Sequence, residues 1–193
     1  MARTPSTMLE LGTTAPDFSL KDTVSGRLVS RAEYAGRPLL VMFICNHCPF
    51  VQHVRGALAA IGRDYGDRVG IVAINPNDVA NYPDDAPEKM RAEAETHGYV
   101  FPYVHDESQD VAKAYRASCT PDFFLFDTMH TLVYRGQLDD SRPGNDEPVT
   151  GKDLRGAIEA VVNDGAPSLR QLPSIGCNIK WIKGNEPEYY GAQ

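Results

Sequence analysis

The sequence has no excess of basic charge, no long apolar run, and few cysteines or tryptophans. Its 19 Lys and Arg face 26 Asp and Glu, for a formal net charge of −7, and no basic cluster appears. That speaks against a nucleic-acid partner held through phosphates. The apolar run Leu39 to Ile44 is far short of the roughly 20 residues a membrane-spanning helix needs, so no membrane partner is expected. The first residues, MARTPSTMLELG, lack the apolar core of a signal peptide, and the expected location is cytoplasmic. Stapling disulfides are rare there, so the four cysteines are expected to be reactive or merely buried. A second Cys-x-x-Cys and a His-x-x-x-His are both missing, which removes the paired spacing of a structural zinc site. No metal and no other cofactor is expected. There is no internal repeat and no low-complexity segment. At 193 residues, 42% hydrophobic and 23% charged, the composition is that of an ordinary globular chain. The expected organisation is one domain over residues 1–165, with an extension over 166–193 packed on it.

The chemistry concentrates between Pro38 and Arg55. Leu39 to Ile44 reads as a buried strand, and it ends at Cys45-Asn46-His47-Cys48. Val51, Val54, Leu58, Ile61 and Tyr65 then recur on one helical face, with Pro49 suited to the first turn. Two cysteines therefore sit where a strand passes into a helix N-terminus, whose free N–H groups and dipole favour an anion. The thiolate is that anion and the reactive form. Cys45, expected to meet solvent first, is read as the nucleophile. Cys48, one turn on, is read as the thiol that resolves the mixed disulfide, and His47 as the group that tunes them. The competing reading is a soft-metal module of Cys45, Cys48 and His47, with Cys119 as an optional fourth ligand, suited to zinc or copper(I).

Along the rest of the chain, Asp17–Leu20 and Arg27–Ser30 flank Gly26 as a small hairpin. Val69 to Ile74 reads as a second buried strand, parallel to the first across the helix. Its end, Asn75-Pro76-Asn77-Asp78, should neighbour Cys45, because ligand-facing residues gather at the strands' carboxyl ends. Asp78 is a candidate proton acceptor or, equally, a turn former. Pro87 to His97 reads as a helix stopped by Gly98, and Phe101 to Val104 as a short strand followed by His105 in a surface turn. Ser108 is the expected cap of a helix carrying Val111 and Tyr115. Thr120-Pro121 allows a cis peptide ahead of the buried strand Asp122–Phe126, with Thr131–Arg135 as its antiparallel partner and His130 solvated at the turn between them. Thr150 and Asp153 resemble a capping box opening a last helix through Val162. The tail carries Cys177 and apolar residues that need a surface to cover.

This order of elements resembles the thioredoxin fold: α/β, a central mixed sheet flanked by helices, here with an N-terminal β-hairpin and a C-terminal extension. Cys45-Asn46-His47-Cys48-Pro49 resembles the thioredoxin active-site motif, and Thr120-Pro121 resembles the cis-proline that faces it. Ala15-Pro16-Asp17-Phe18-Ser19-Leu20 is similar to the start of the redoxin branch, which includes peroxiredoxins and alkyl hydroperoxide reductase/thiol-specific antioxidant relatives. More narrowly, CNHCPFV, INPND, CTPDFFLFD, YRGQLDDSRP and PSIGCNIKW together look like a bacterial group of redoxin-domain proteins. The resemblance implies a thiol–disulfide oxidoreductase whose Thr120-Pro121 backbone docks an extended substrate, with a disulfide-bearing protein or small molecule and a thiol reductant as partners. The peroxiredoxin-like alternative makes Cys45 a peroxidatic cysteine. Ile44 stands where thioredoxins carry Trp, and Leu39 where they carry a buried acid. Met42 replaces the Thr of the peroxiredoxin signature. The resemblance also places Cys119 close to the dithiol. The tail is expected to bring Cys177 to Cys119 as an auxiliary pair.

Overall fold

The computed structural model describes residues 3–191. Its centre is a five-stranded mixed sheet in the order β6-β5-β4-β8-β9, built from β4 (Leu39–Phe43), β5 (Gly70–Asn75), β6 (Tyr103–His105), β8 (Asp122–Phe126) and β9 (Leu132–Gly136). β4 runs parallel to β5 and antiparallel to β8. All five residues of β4 are buried, because apolar clusters cover both faces of the sheet. Period-two alternation divides them. Leu40 and Met42 join Phe123 and Leu125 on one face, while Leu39, Val41 and Phe43 join Phe124 and Phe126 on the other. The first face is covered by α1 (Pro49–Tyr65), α2 (Pro87–His97) and α4 (Lys152–Val162). The second is covered by α3 (Asp110–Ala114), by Ala15, Phe18 and Val29, and by Ile179 and Trp181 of the tail. Among the described residues no helix is long and apolar enough to cross a membrane.

Two smaller sheets complete the chain. β2 (Ser19–Lys21) and β3 (Leu28–Ser30) form the N-terminal hairpin. β1 (Arg3–Pro5), β10 (Ile175–Asn178) and β7 (Cys119–Thr120) form an antiparallel sheet in the order β1-β10-β7. β10 approaches β7 closely at Gly176. A Cβ there would lie 2.0 Å from the Thr120 carbonyl oxygen, so only glycine fits without displacement.

Several local expectations need correction. His130 is buried rather than solvated. Segment 13–15 folds over its turn, its Nε2–H donates to the Tyr34 carbonyl at 3.1 Å, and Nδ1 accepts from Arg31 at 3.0 Å. His105 is not in a surface turn but closes β6 opposite Asn75. Ser108 does not cap α3: Gln109 holds that position, and the Asp106 carboxylate accepts the Ala112 N–H at 2.8 Å. The capping box at α4 is absent. Asp139, from the preceding loop, accepts the Thr150 and Gly151 N–H groups at 2.7 and 2.6 Å, and Asp153 is engaged by Gln137. For His130 and His105 a partner distant in sequence displaces the local one, whereas at α3 and α4 an Asp of the preceding loop does so.

Candidate functional site

The end of β4 delivers Cys45, and Cys48 is the N-cap of α1, with Pro49 in the first turn as the helix requires. The Thr120–Pro121 peptide is cis and faces this corner. Thr120 joins the two cysteines. Its hydroxyl lies 3.2 Å from Cys45 Sγ, and its carbonyl accepts from the Cys48 thiol at 3.1 Å. Cys45 does not meet solvent first, because both cysteines are covered, at 1% and 0% exposure. The half-covered Asn46 and His47 are the part of the motif that reaches the surface.

The acid of the site is Asp85, which the sequence did not single out. It lies in the loop before α2 and is fully buried. One carboxylate oxygen accepts the Asn46 N–H at 2.7 Å; the other accepts His47 Nδ1 at 2.6 Å and the Asn77 amide at 2.7 Å. Burial pushes Asp85 up, but the hydrogen bonds from His47 and Asn77 outweigh it and hold the carboxyl below its ordinary range. The same bond raises His47. The imidazole also stacks on Tyr82, with ring centroids 5.4 Å apart and planes at 12°. Asp78 takes the turn-forming role, its carboxylate accepting the Ala80 N–H at 3.0 Å and the Asn81 amide. The sequence reading put forward Asp78 and did not weigh Asp84 or Asp85 in the loop that follows it. Burial decides among them, and burial there depends on how the loop folds under His47.

The two motif thiols share one proton environment. Burial, then the neighbouring Cys48, pushes Cys45 well up. Cys48 is pulled down, first by the Cys177 thiol, then by Cys45, and also by the Val51 N–H at the start of α1. Burial thus disfavours the thiolate form at Cys45, while the start of α1 and the neighbouring thiols favour it at Cys48.

Cys177 enters through the tail. In the β10–β7 ladder it lies opposite Thr120, while Asn178 lies opposite Cys119. Opposed residues share a face and neighbours alternate, so Cys177 shares the Thr120 face, and it joins the apolar cluster of Cys45 and Cys48. Cys119 belongs to the other face. It is fully buried, and its thiol points to the Pro121 carbonyl at 3.6 Å. The expected Cys119–Cys177 pairing is thus corrected: the tail does return to the catalytic end, but strand alternation turns Cys177 toward Cys48. Beneath the cis-proline, Asp122 is fully buried, with one oxygen accepting from Ser6 at 2.7 Å and the other unpartnered; burial raises it to about 7.

One group of donors suits a cation. Ligand atoms of Cys45, His47 and Asp85 all lie within 4.8 Å of one another, a sulfur–nitrogen–oxygen set of the zinc-binding kind. Cys48 and Cys119 are not part of it.

Residues 11–135 match the AhpC/TSA family. The chain is 32% identical over 127 residues to the thiol-disulfide oxidoreductase ResA of Geobacillus kaustophilus, covering 64% of this chain and 67% of that protein. A crystal structure of a hypothetical protein from Sinorhizobium meliloti is 51% identical, with a TM-score of 0.91, over 94% of this chain and all of the other. The thioredoxin domain of a thiol-disulfide oxidoreductase from Bacteroides vulgatus superposes with a TM-score of 0.57 at 20% identity, over 69% of this chain and 90% of that domain. The fold is the thioredoxin fold.

Proposed function

The chain belongs to the AhpC/TSA family, and on that premise we propose that it is a thiol–disulfide oxidoreductase working through Cys45 and Cys48. The observation that carries the reading is the dithiol at the start of α1, held against the cis Thr120–Pro121 peptide. A substrate disulfide approaches over the half-covered His47 and Asn46, which must move aside to open the covered Cys45 thiol. Cys45 passes its proton within the Cys45–Cys48 pair or to the His47–Asp85 pair and attacks. Cys48 then displaces the reduced substrate, leaving the Cys45–Cys48 disulfide, which an external thiol reductant reopens. His47 offsets the Asp85 charge, which otherwise opposes a thiolate at Cys45.

The docking role of Thr120 and Pro121 carries a condition. The backbone edge of β7 is already paired with β10. An extended polypeptide that docks along this edge has to displace β10. A cytoplasmic setting is part of the proposal, on composition alone.

The test is a side-by-side assay of the reduced protein for disulfide reduction and for hydrogen peroxide consumption. Disulfide reduction lost in Cys45→Ser is the expected result; peroxide consumption without it selects the peroxidase alternative. A second reading rests on the Cys45, His47 and Asp85 donors. Stoichiometric metal in the freshly purified protein, lost in Asp85→Asn, would favour that reading.

A further inference from the structure

β10 brings a third sulfur to the dithiol, and its placement is specific. Cys177 stands opposite Thr120 in the ladder, and Thr120 touches both Cys45 and Cys48. The three cysteines lie in one apolar cluster. Cys48 links the two others through Thr120, whose carbonyl accepts its thiol and which faces Cys177 across the ladder. Gly176 keeps this arrangement in place, since any side chain there would run into the Thr120 carbonyl and push β10 outward. The Cys45–Cys48 reaction leaves Cys177 unused.

We propose that Cys177 is a third redox thiol of this site, which attacks Cys48 in the Cys45–Cys48 disulfide and forms a Cys48–Cys177 disulfide while returning Cys45 to the free thiol. The step rests on the dithiol reading above. Cys177 gives up its proton and its thiolate forms a bond to Cys48 Sγ. The Cys45–Cys48 bond breaks, and Cys45 leaves as a thiolate that takes up the proton released by Cys177, so no net proton is gained or lost. One disulfide replaces another, so no further oxidant is consumed; the substrate disulfide has already supplied the oxidation. The exchange moves the disulfide from Cys45, beside Asn46 and His47, to the pair formed by Cys48 and Cys177 of β10. The oxidised protein then presents a free Cys45 thiol rather than a disulfide.

Disulfide mapping under native conditions tests this. The full-length protein is treated with one equivalent of diamide, free thiols are blocked with N-ethylmaleimide, and cross-linked peptides are identified by mass spectrometry. The wild type is expected to yield both Cys45–Cys48 and Cys48–Cys177 linkages. Cys45→Ser is expected to yield Cys48–Cys177 with loss of two maleimide adducts, and Cys177→Ser only Cys45–Cys48. Gly176→Ala, which dislodges β10, is expected to lose most of the Cys48–Cys177 product. If folded Cys45→Ser keeps all its thiols free, or couples Cys177 to Cys119, the relay is overturned. Should Cys45→Ser fail to fold, a wild-type map without Cys48–Cys177 overturns it equally. Absence of Cys45–Cys48 in Cys177→Ser would instead overturn the underlying dithiol reading, so the two failures are distinct.

Discussion

Replacing Asp85 by Asn tests the electrostatic core of the site. Asn keeps the shape and one acceptor for the Asn46 N–H, but it sets an NH2 group against the Asn77 amide and removes the charge opposite His47. Breaking a buried charged pair costs about 3–5 kcal/mol. An unsatisfied buried amide accounts for about 1–3 kcal/mol of that. The retained acceptor places the expected loss near the lower end, about 3 kcal/mol. The pH dependence follows from the two shifts. His47 is raised above its ordinary 6.5, so its contribution is complete below that value and is lost as pH rises through the folded pKa. Asp85 is depressed below its ordinary 3.8, so its contribution is complete above that value and is lost as pH falls through the folded pKa. The full contribution therefore holds between 3.8 and 6.5. Urea unfolding of both reduced proteins should show a wider stability gap at about pH 6 than at about pH 9. An NMR titration should find His47 shifted down in the variant. An equal gap at both pH values would mean that a neutral hydrogen bond, not an ion pair, holds the loop.

Cys48→Ser should accumulate a mixed disulfide with substrate and Cys45→Ser should trap none; the opposite outcome on denaturing gels would exchange the two roles. In His47→Ala the Asp85 charge beside Cys45 is left uncompensated, so the apparent Cys45 thiolate pKa, followed by absorbance, should rise, and an unchanged value would place the imidazole outside the thiol's electrostatic reach. Gly176→Ala should cost about 1–3 kcal/mol through the clash with Thr120 and speed the reaction of Cys48 with a thiol reagent. Asp122 favours its protonated form in the folded state, so wild-type stability from this group is present below its ordinary 3.8 and is lost as pH rises to about 7; Asp122→Asn should abolish that slope in urea titrations.

The dithiol, its strand-to-helix setting and the cis-proline were legible in the sequence because each depends on local pattern: an apolar run, a 3.6-residue period, a Thr-Pro step before a strand. β4, α1, β5 and α2 fall within a residue or so of their expected limits for the same reason. What escaped is non-local. Asp85 differs from Asp84 by one position in a loop, and only the fold under His47 distinguishes a fully buried acid from its neighbour. His130 reads as a solvated turn residue until Arg31, Tyr34 and segment 13–15 close over it. For Cys177 the direction of the tail was legible but its register was not. A single-residue step in β10 decides whether it faces Cys48 or Cys119.

The β1-β10-β7 sheet also sets an order of events during synthesis. Arg3 pairs with Cys177, and Thr120 pairs with the same residue from the other side. Pairings so remote in sequence form late, and this one must wait until residues 175–178 have left the ribosome. Until then the nascent chain carries a complete Cys45–Cys48 corner with no roof. Pulse-labelling of ribosome-bound chains arrested before and after β10 emerges should find Cys48 open to thiol reagents in the shorter chains and closed in the longer. Equal labelling in both would show that some other part of the chain shelters the sulfur.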